Sequence, residues 1–390
     1  LEINCPKDNE IRNIWLLPSN KVLGKTKPFV DYQNDATAKD IKLALREGFR
    51  SIEHVKRYTT TGMGTDQGKL GNMHALGIIA ETAGVKMGEL GTTTFRPPYT
   101  PLTFGTIVGR NVGEYFDTFR RTPMNDWHIE NKAEFENVGQ WKRAWYYPKN
   151  NETMHEAVQR ESKAARNSAG ILDASTLGKI DIQGTDASEF LNRVYTNAWS
   201  KLAIGKCRYG LMLNEDGMVY DDGVTTRLDE NHYIMTTTTG GAANVLGKLE
   251  DYLQTEWPEL DVYLSSVTDH YATASICGPN SKKILNKLIP DLDLSDESFP
   301  HMSFKNAKID NIKCRIMRIS FTGEHSYEIN IQANYGEDLW RKCIDAGEEF
   351  DITPYGTETM HLLRAEKGFI IVGQDTDGTM TPIDLQMDWI

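Results

Sequence analysis

The stretch from Gly205 to Thr226 restricts the fold more than any other part of the chain. Two apolar-rich runs, residues 208–213 and 219–228, flank Asn214-Glu-Asp-Gly217, and these residue types supply the turn chemistry that joins paired strands. The spacing predicts an antiparallel hairpin. Asp221 and Asp222 then fall inside its second strand, where successive side chains face opposite sides, so one of them must point inward. A carboxylate amid Val219, Val224 and Leu213 is costly unless something donates to it. A bound amine or ring N–H would do so, and so would backbone N–H groups of the protein itself. Phe321-Thr-Gly-Glu-His-Ser-Tyr-Glu-Ile-Asn330 repeats the situation, with Glu328 on a strand between Tyr327 and Ile329. Two inward carboxylates from different hairpins suit a ligand with several N–H donors.

Around these hairpins the pattern alternates. Residues 171–174, 178–183, 232–238, 314–320 and 326–331 read as further strands. Residues 152–168, 186–195, 242–253, 280–288, 339–348 and 357–367 carry helical spacing. The fold class is therefore α+β, with antiparallel sheets and flanking helices. Ahead of it lies a small, mostly helical segment. Thr37-Ala-Lys-Asp40 resembles a capping box opening a helix that Gly48 stops; a second helix is expected over 51–58, and Asn72 is expected to cap a third over 73–83, ended by Gly84. Three prolines make residues 91–101 an extended linker. Residues 113–148 are rich in Trp and Tyr without a clean period, and are expected to drape over a core and stay partly uncovered. The expected domains are residues 1–110, the end of an upstream FAD/NAD-type domain plus the linker, and residues 111–390.

Composition narrows the function. With 390 residues there is room for about two or three domains. Sixteen Tyr, 13 Phe and 8 Trp exclude a disordered chain. A net charge of −12 argues against nucleic acid or an anionic membrane as the main partner. No apolar run reaches spanning length, and no signal peptide is visible. The five cysteines, scattered and never in a C-x-x-C pair, point to a reducing cytoplasm. Nine histidines show no H-E-x-x-H spacing, so no metal site is expected, and no G-x-S-x-G elbow supports a hydrolase. Thr61-Gly-Met-Gly-Thr-Asp-Gln-Gly-Lys-Leu70 is glycine-rich, but it matches neither G-x-G-x-x-G nor G-x-x-x-x-G-K-[ST]. A structural loop and a contact with some bound cofactor both remain open for it. The opening Leu-Glu-Ile-Asn-Cys has no initiator Met, and the chain is expected to begin inside a larger polypeptide.

Several motifs in register resemble the tetrahydrofolate-binding aminomethyltransferase fold of the glycine-cleavage T-protein. They are Asp173-Ala-Ser-Thr-Leu-Gly178, Tyr195-Thr-Asn197, the Asn-Glu-Asp-Gly…Asp-Asp hairpin, Gly278-Pro279, Thr322-Gly-Glu324…Tyr327-Glu328 and Gly373-Gln-Asp375. They run from about residue 152 to the end. The resemblance is closer still to the C-terminal half of the alpha subunits of heterotetrameric sarcosine oxidases. Ser51 to Lys69, Thr92 to Pro101 and Val194-Tyr-Thr-Asn197 resemble that family nearly word for word, over residues 29–390. Family members begin with a dinucleotide-binding domain and end with a further stretch, so the chain is expected to be a fragment.

The resemblance implies that Asp222 is the catalytic aspartate, placed near the reactive nitrogens of tetrahydrofolate, and that Tyr209 and Glu328 are pterin-site positions. It implies capture of the methylene-imine formed from sarcosine in the beta subunit, giving 5,10-methylenetetrahydrofolate. It implies beta, gamma and delta subunits as partners, with FAD, FMN and NAD only in the complete heterotetramer. Met360 stands where the T-protein's first folate arginine would be, while Arg364 keeps the second; the sarcosine oxidase pattern tolerates this change. A free-standing glycine-cleavage-type aminomethyltransferase and a non-catalytic folate-binding scaffold are the competing readings.

Overall fold

The computed structural model describes residues 13–97, 99–110, 113 and 118–390. The chain's opening pentapeptide, with Cys5, lies outside them, as does Pro98 of the proline-rich stretch. The chain divides into two compact units, Leu1–Phe116 and Asp117–Ile390.

In the first unit a short pair of strands, β1 (Phe29–Asp31) and β2 (Ala36–Thr37), leads into α1 (Ala38–Arg46), α2 (Ile52–Thr59) and α3 (Asn72–Ala83). The capping box at Thr37 is complete: Thr37 Oγ1 accepts from Asp40 N at 3.4 Å, and Asp40 Oδ2 accepts from Thr37 N at 2.9 Å. Gly84 ends α3 at φ 67°, as its lack of a Cβ allows. Asn72 does not cap α3. Gly71 holds that position, and the Asn72 amide turns aside to donate to Thr93 Oγ1 at 2.7 Å. The core consists of the apolar faces of the three helices, with Ile41, Val55, Leu76 and Ile79 buried.

The second unit holds two main sheets. The first runs in the order β10 (Tyr263–Ser266), β6 (Gly178–Gln183), β9 (His232–Thr237), β8 (Val219–Asp229) and β7 (Cys207–Leu213), all antiparallel. The second runs β12 (Ser303–Ile309), β13 (Ile312–Arg318), β14 (Ser326–Gln332), β11 (Tyr271–Cys277), β5 (Ala169–Asp173) and β15 (Ile352–Pro354), with only β5 and β15 parallel. Among the helices are α4 (Met154–Asn167), α5 (Ala187–Val194), α6 (Ala242–Thr255), α7 (Ser281–Leu288), α8 (Gly336–Gly347) and α9 (Thr357–Ala365). Helices α5 and α6 cover one face of the first sheet, burying Ile180, Ile182 and Met235 with Phe190 and Leu249. Helices α7 and α8 cover one face of the second, burying Ile316 and Ile329 with Leu285 and Trp340. The two remaining faces look at each other across a thinner layer formed by Cys207, Ile234, Met317 and Ile319. Backbone bonds join the sheet edges, with Cys207 N donating to Met302 O at 2.8 Å and Phe304 N to Gly205 O at 3.0 Å.

The aromatic stretch corrects an expectation. Residues 134–138 and 141–146 pair as a hairpin, β3 and β4, and Trp127, Trp141 and Tyr147 are buried within the unit. Trp127 packs edge-on against Trp340 of α8, so this stretch builds the core instead of draping over it. The proline-rich segment stays partly uncovered, with Phe95 and Tyr99 exposed and Thr93 buried.

Candidate functional site

The predicted hairpin is β7–β8, closed by Asn214 to Gly217. Gly217 N donates to Asn214 O at 2.9 Å, and Gly217 adopts φ 84°. Leu211 stands opposite Asp222 and Met212 opposite Asp221, and directly opposed residues share a face. Asp221 therefore points to the helix-covered face and Asp222 to the layer between the sheets. Gly223 follows at a place where a Cβ would lie 1.8 Å from Thr236 O, so β8 and β9 approach this closely only with glycine there.

The two aspartates are satisfied differently. Asp221 is 1% exposed and accepts from Thr238 Oγ1 at 2.6 Å and Thr238 N at 3.3 Å. Burial still pushes its carboxyl up to about 7, despite the Thr238 hydrogen bond. Protein donors thus answer the carboxylate that faces the helices. Asp222, half-buried, receives one side-chain donor among the described residues, Tyr209 Oη to Oδ2 at 2.7 Å. Burial pushes it up to about 6, against the lowering effect of that bond. The Tyr209 phenol is pushed well up in turn, by burial and by the charge it touches.

Glu328 lies on β14 opposite Met317 and Ser275, hence also on the face toward the first sheet. Among the described residues no donor reaches its carboxylate, and burial pushes it up to about 7, eased by the charge of Lys179. Sequence reasoning missed Lys179. It alternates with Ile180 and Ile182 on β6, so it faces the intersheet layer; its ammonium donates to Ser175 O and Leu177 O, each at 3.0 Å, and burial lowers it to about 8. A lysine interrupting an apolar strand was the available signal. On the same face as Glu328, Asn330 Nδ2 and Arg315 Nε and Nη1 are buried without hydrogen-bond partners, the Arg315 guanidinium lying 5.8 Å from the centre of the Tyr271 ring and 5.9 Å from that of Phe304. This layer therefore receives donors and an acceptor without hydrogen-bond partners from the second sheet, and the Asp222 carboxylate from the first. A polar heterocycle with several ring N–H groups fits such a set.

Two other expected features fall elsewhere. Arg364 of α9 is spent on Asp375 and on Phe369 O at 2.9 Å, and Met360 packs among Leu172, Tyr355 and Leu363. Asp173 turns toward the helix-covered core, where its oxygen meets His128 Nε2 at 3.1 Å. His128 Nδ1 meets Tyr147 Oη at 2.9 Å. Burial would raise Asp173, but the hydrogen bond and charge of His128 hold it down to about 2. Among the described residues no group of three His, Cys, Asp or Glu side chains could hold a metal ion, and no helix is long and apolar enough to cross a membrane.

Comparison with known proteins agrees with this architecture. Residues 124–390 match the family model of the GCVT N-terminal domain, and residues 25–110 that of the sarcosine oxidase A3 domain. A sarcosine oxidase subunit alpha of Corynebacterium sp. (strain P-1) is 54% identical over 98% of this chain, which covers 40% of that relative. An aminomethyltransferase of Thermoanaerobacter sp. (strain X514) is 30% identical, the match covering 69% of this chain and 69% of its own. The crystal structure of glycine cleavage system aminomethyltransferase T from Bartonella henselae matches with a TM-score of 0.61 at 24% identity, covering 70% of this chain and 69% of that one. The second unit thus has the T-protein aminomethyltransferase fold. Carrying a sarcosine oxidase A3 domain ahead of it, and spanning about 40% of the length of the sarcosine oxidase alpha subunits it resembles, the chain belongs to the family defined by the GCVT N-terminal domain.

Proposed function

We propose that the second unit binds tetrahydrofolate between its two sheets. There it passes to the folate the one-carbon unit of the methylene-imine that a complete sarcosine oxidase makes from sarcosine. The observation that carries this reading is the facing of Asp222 and Glu328 from separate sheets onto one layer, each carboxyl holding its proton more tightly than usual. Bound there, tetrahydrofolate supplies N5 and N10 as the two nitrogens that take up the methylene carbon. The balanced reaction consumes the imine and tetrahydrofolate and releases 5,10-methylenetetrahydrofolate and glycine; two N–H protons leave the folate and depart on the glycine nitrogen.

Within that reaction Asp222 has one oxygen held by Tyr209 and the other left to accept an N–H. A carboxyl near 6 takes up and returns a proton close to neutral pH. Its negative charge also stabilises positive charge developing at the carbon–nitrogen unit. Glu328 accepts a ring N–H and fixes the attack geometry, which speeds transfer over escape of the imine to water. The A3 match over residues 25–110 favours a part of a flavoprotein complex over a free-standing glycine-cleavage enzyme. Oxidation then belongs to a beta subunit, with gamma and delta subunits completing the heterotetramer and FAD, FMN and NAD bound in the whole assembly.

The test is Asp222→Asn in the complete heterotetramer. Hydrogen peroxide formation from sarcosine should persist, while product diverts from methylenetetrahydrofolate to free formaldehyde. The transfer step should slow by roughly 100-fold or more, because the amide keeps the shape and removes the charge. Asp221→Asn, on the other face of the sheet, should leave the partition unchanged. An Asp222→Asn enzyme that still suppressed formaldehyde release fully would overturn the assignment in favour of a folate-binding scaffold.

A further inference from the structure

The two cations of the intersheet layer are compensated differently. Lys179 donates to Ser175 O and Leu177 O, and its charge is the one that eases the raised Glu328 carboxyl. Arg315 has no such answer. It stands on β13 directly opposite Asn330 of β14, and its neighbours Cys314 and Ile316 belong to the helix-covered core, so its side chain enters the layer. Its Nε and Nη1 are buried without hydrogen-bond partners, and no carboxylate pairs with it among the described residues. The Tyr271 and Phe304 ring centres, at 5.8 Å and 5.9 Å, lie near the outer limit of about 6 Å for a cation–π contact. Beside it Asn330 is 6% exposed. Its Oδ1 accepts from Thr273 Oγ1 at 2.8 Å, which leaves Nδ2 without an acceptor. A buried cation and a buried amide donor, side by side on adjacent strands, are costly until an anion meets them.

The position of this pair within the layer bears on which anion that is. Glu328 is paired with Met317, two residues along β13 from Arg315, and such diagonal neighbours lie about 7–8 Å apart. Cys207 of the first sheet feels the charges of both Arg315 and Glu328. It shares a face of β7 with Tyr209, the donor to Asp222. Arg315 and Asn330 therefore adjoin the place where, on the proposed function, the pterin ring sits. Tetrahydrofolate carries its carboxylates beyond the p-aminobenzoyl ring, far from N5. The methylene-imine of sarcosine carries its carboxylate close to the reacting carbon, separated from it only by the nitrogen and a methylene group.

We propose that Arg315 and Asn330 bind the carboxylate of the imine, and of the glycine released from it. This rests on the folate reading of the layer and adds the recognition element for the second substrate, an α-amino acid imine as opposed to the imine of a simple amine. The planar guanidinium matches the two oxygens of a carboxylate, and Asn330 Nδ2 adds a further donor. The Tyr271 and Phe304 rings limit competition from water. Holding the carboxylate restricts the imine to poses with its methylene carbon near the pterin, which favours transfer over hydrolysis.

Isothermal calorimetry on the full chain, with and without saturating tetrahydrofolate, tests this with glycine and with methylamine, which keeps the amine and lacks the carboxylate. Glycine should bind roughly tenfold or more tightly than methylamine. Arg315→Met should weaken glycine binding roughly tenfold or more, and Arg315→Lys, which keeps the charge, by less. Arg315→Met should fold, because it removes an unpaired buried cation; circular dichroism checks this, and Arg315→Lys carries the test if it does not. Glycine binding that depends on Arg315 in a chain that takes up no tetrahydrofolate would uphold the carboxylate site and overturn the folate reading instead. Where tetrahydrofolate binds, glycine binding no tighter than that of methylamine, or unchanged in Arg315→Met, overturns the carboxylate site and leaves the folate reading standing. The site is equally overturned if glycine does not bind at millimolar concentration. It also falls if Arg315→Met weakens tetrahydrofolate and not glycine, which would give Arg315 to the folate's own carboxylates.

Discussion

The two kinds of layer in the second unit differ in what they bury. Where helices cover the sheets, the interior is mainly apolar, with Ile180, Ile182, Phe190 and Leu249 on one side and Ile316, Ile329, Leu285 and Trp340 on the other, and its buried carboxylates are answered by the protein, Asp221 by Thr238 and Asp173 by His128. Where the sheets face each other, a thin apolar seam shares the space with Lys179, Asp222, Arg315 and Glu328. The strand period of two lets one strand serve both, since Ile180 and Lys179 are neighbours in sequence and face opposite layers. Asp221 and Asp222 show the same division at one step of β8. The aspartate toward the helices is answered by Thr238, while the one toward the seam keeps a free oxygen. On the proposed function, stability and chemistry are thus divided between opposite faces of the same strands.

The sharpest way to break this comparison is to cut the helix-covered core. Ile329 on β14 is fully buried, next in sequence to Glu328 and facing the other way. Ile329→Ala should cost about 2–5 kcal/mol, from lost transfer free energy and the cavity left behind. Urea unfolding of the full chain measures it. A loss below about 1 kcal/mol would mean that the helix-covered layer is not where the unit's stability lies.

The elements of this comparison were unequally legible in the sequence. The β7–β8 hairpin and the opposite facing of its two aspartates followed from turn residues and strand period alone, α1 from its capping box and stop, and α3 from its apolar run and the Gly84 stop, its expected Asn72 cap having failed. The β3–β4 hairpin was hidden because β4 packs on α9, where Trp145 Nε1 donates to Glu358 Oε2 at 3.0 Å, 213 residues later in the chain, and local period carries no trace of that contact. The β12–β13 hairpin had a readable turn, Asp310 and Asn311 at φ 46° and 69°, flanked by Lys- and Asn-rich strands with a weak apolar signal. Asp222, Tyr209 and Glu328 were placed by resemblance. Their shared layer is tertiary, as is the role of Lys179 in tempering Glu328.

A second test acts on the intersheet layer itself. Glu328 is raised from 4.5 to about 7 in the folded chain. Between those values the native state holds a proton that the unfolded state has released, so stability falls as pH rises across that window. Glu328→Gln removes the dependence and keeps the shape. At pH 8 the variant should be more stable than wild type by about 1–2 kcal/mol, a figure reduced by the loss of Lys179's favourable charge contact. Below pH 4 the two should converge. Parallel stability curves across the whole range would show that the carboxylate is solvated and that this layer is not distinct from ordinary surface.

The smallest expected effect concerns the one bond that distinguishes Asp222 from Asp221. Tyr209 Oη donates to Asp222, which favours the charged carboxylate and works against burial. Tyr209→Phe keeps the ring and removes the donor, so the stability loss should be only about 1 kcal/mol. The informative change is in titration. Without that donor, burial is opposed only by a backbone hydrogen bond and the Asp222 carboxyl should titrate above its present value of about 6. The acid limb of folate-dependent transfer in the complete enzyme should move to higher pH, leaving the rate on the alkaline side nearly unchanged. Asp221 is held by Thr238 on the opposite face and should titrate as before. Carbon NMR of aspartate carboxyls in the full chain reads both groups in one experiment. An Asp222 signal that does not move would show that Tyr209 is a packing residue. Equal movement of both aspartates would show that the two faces of β8 are electrostatically one environment, and the division between them would fail.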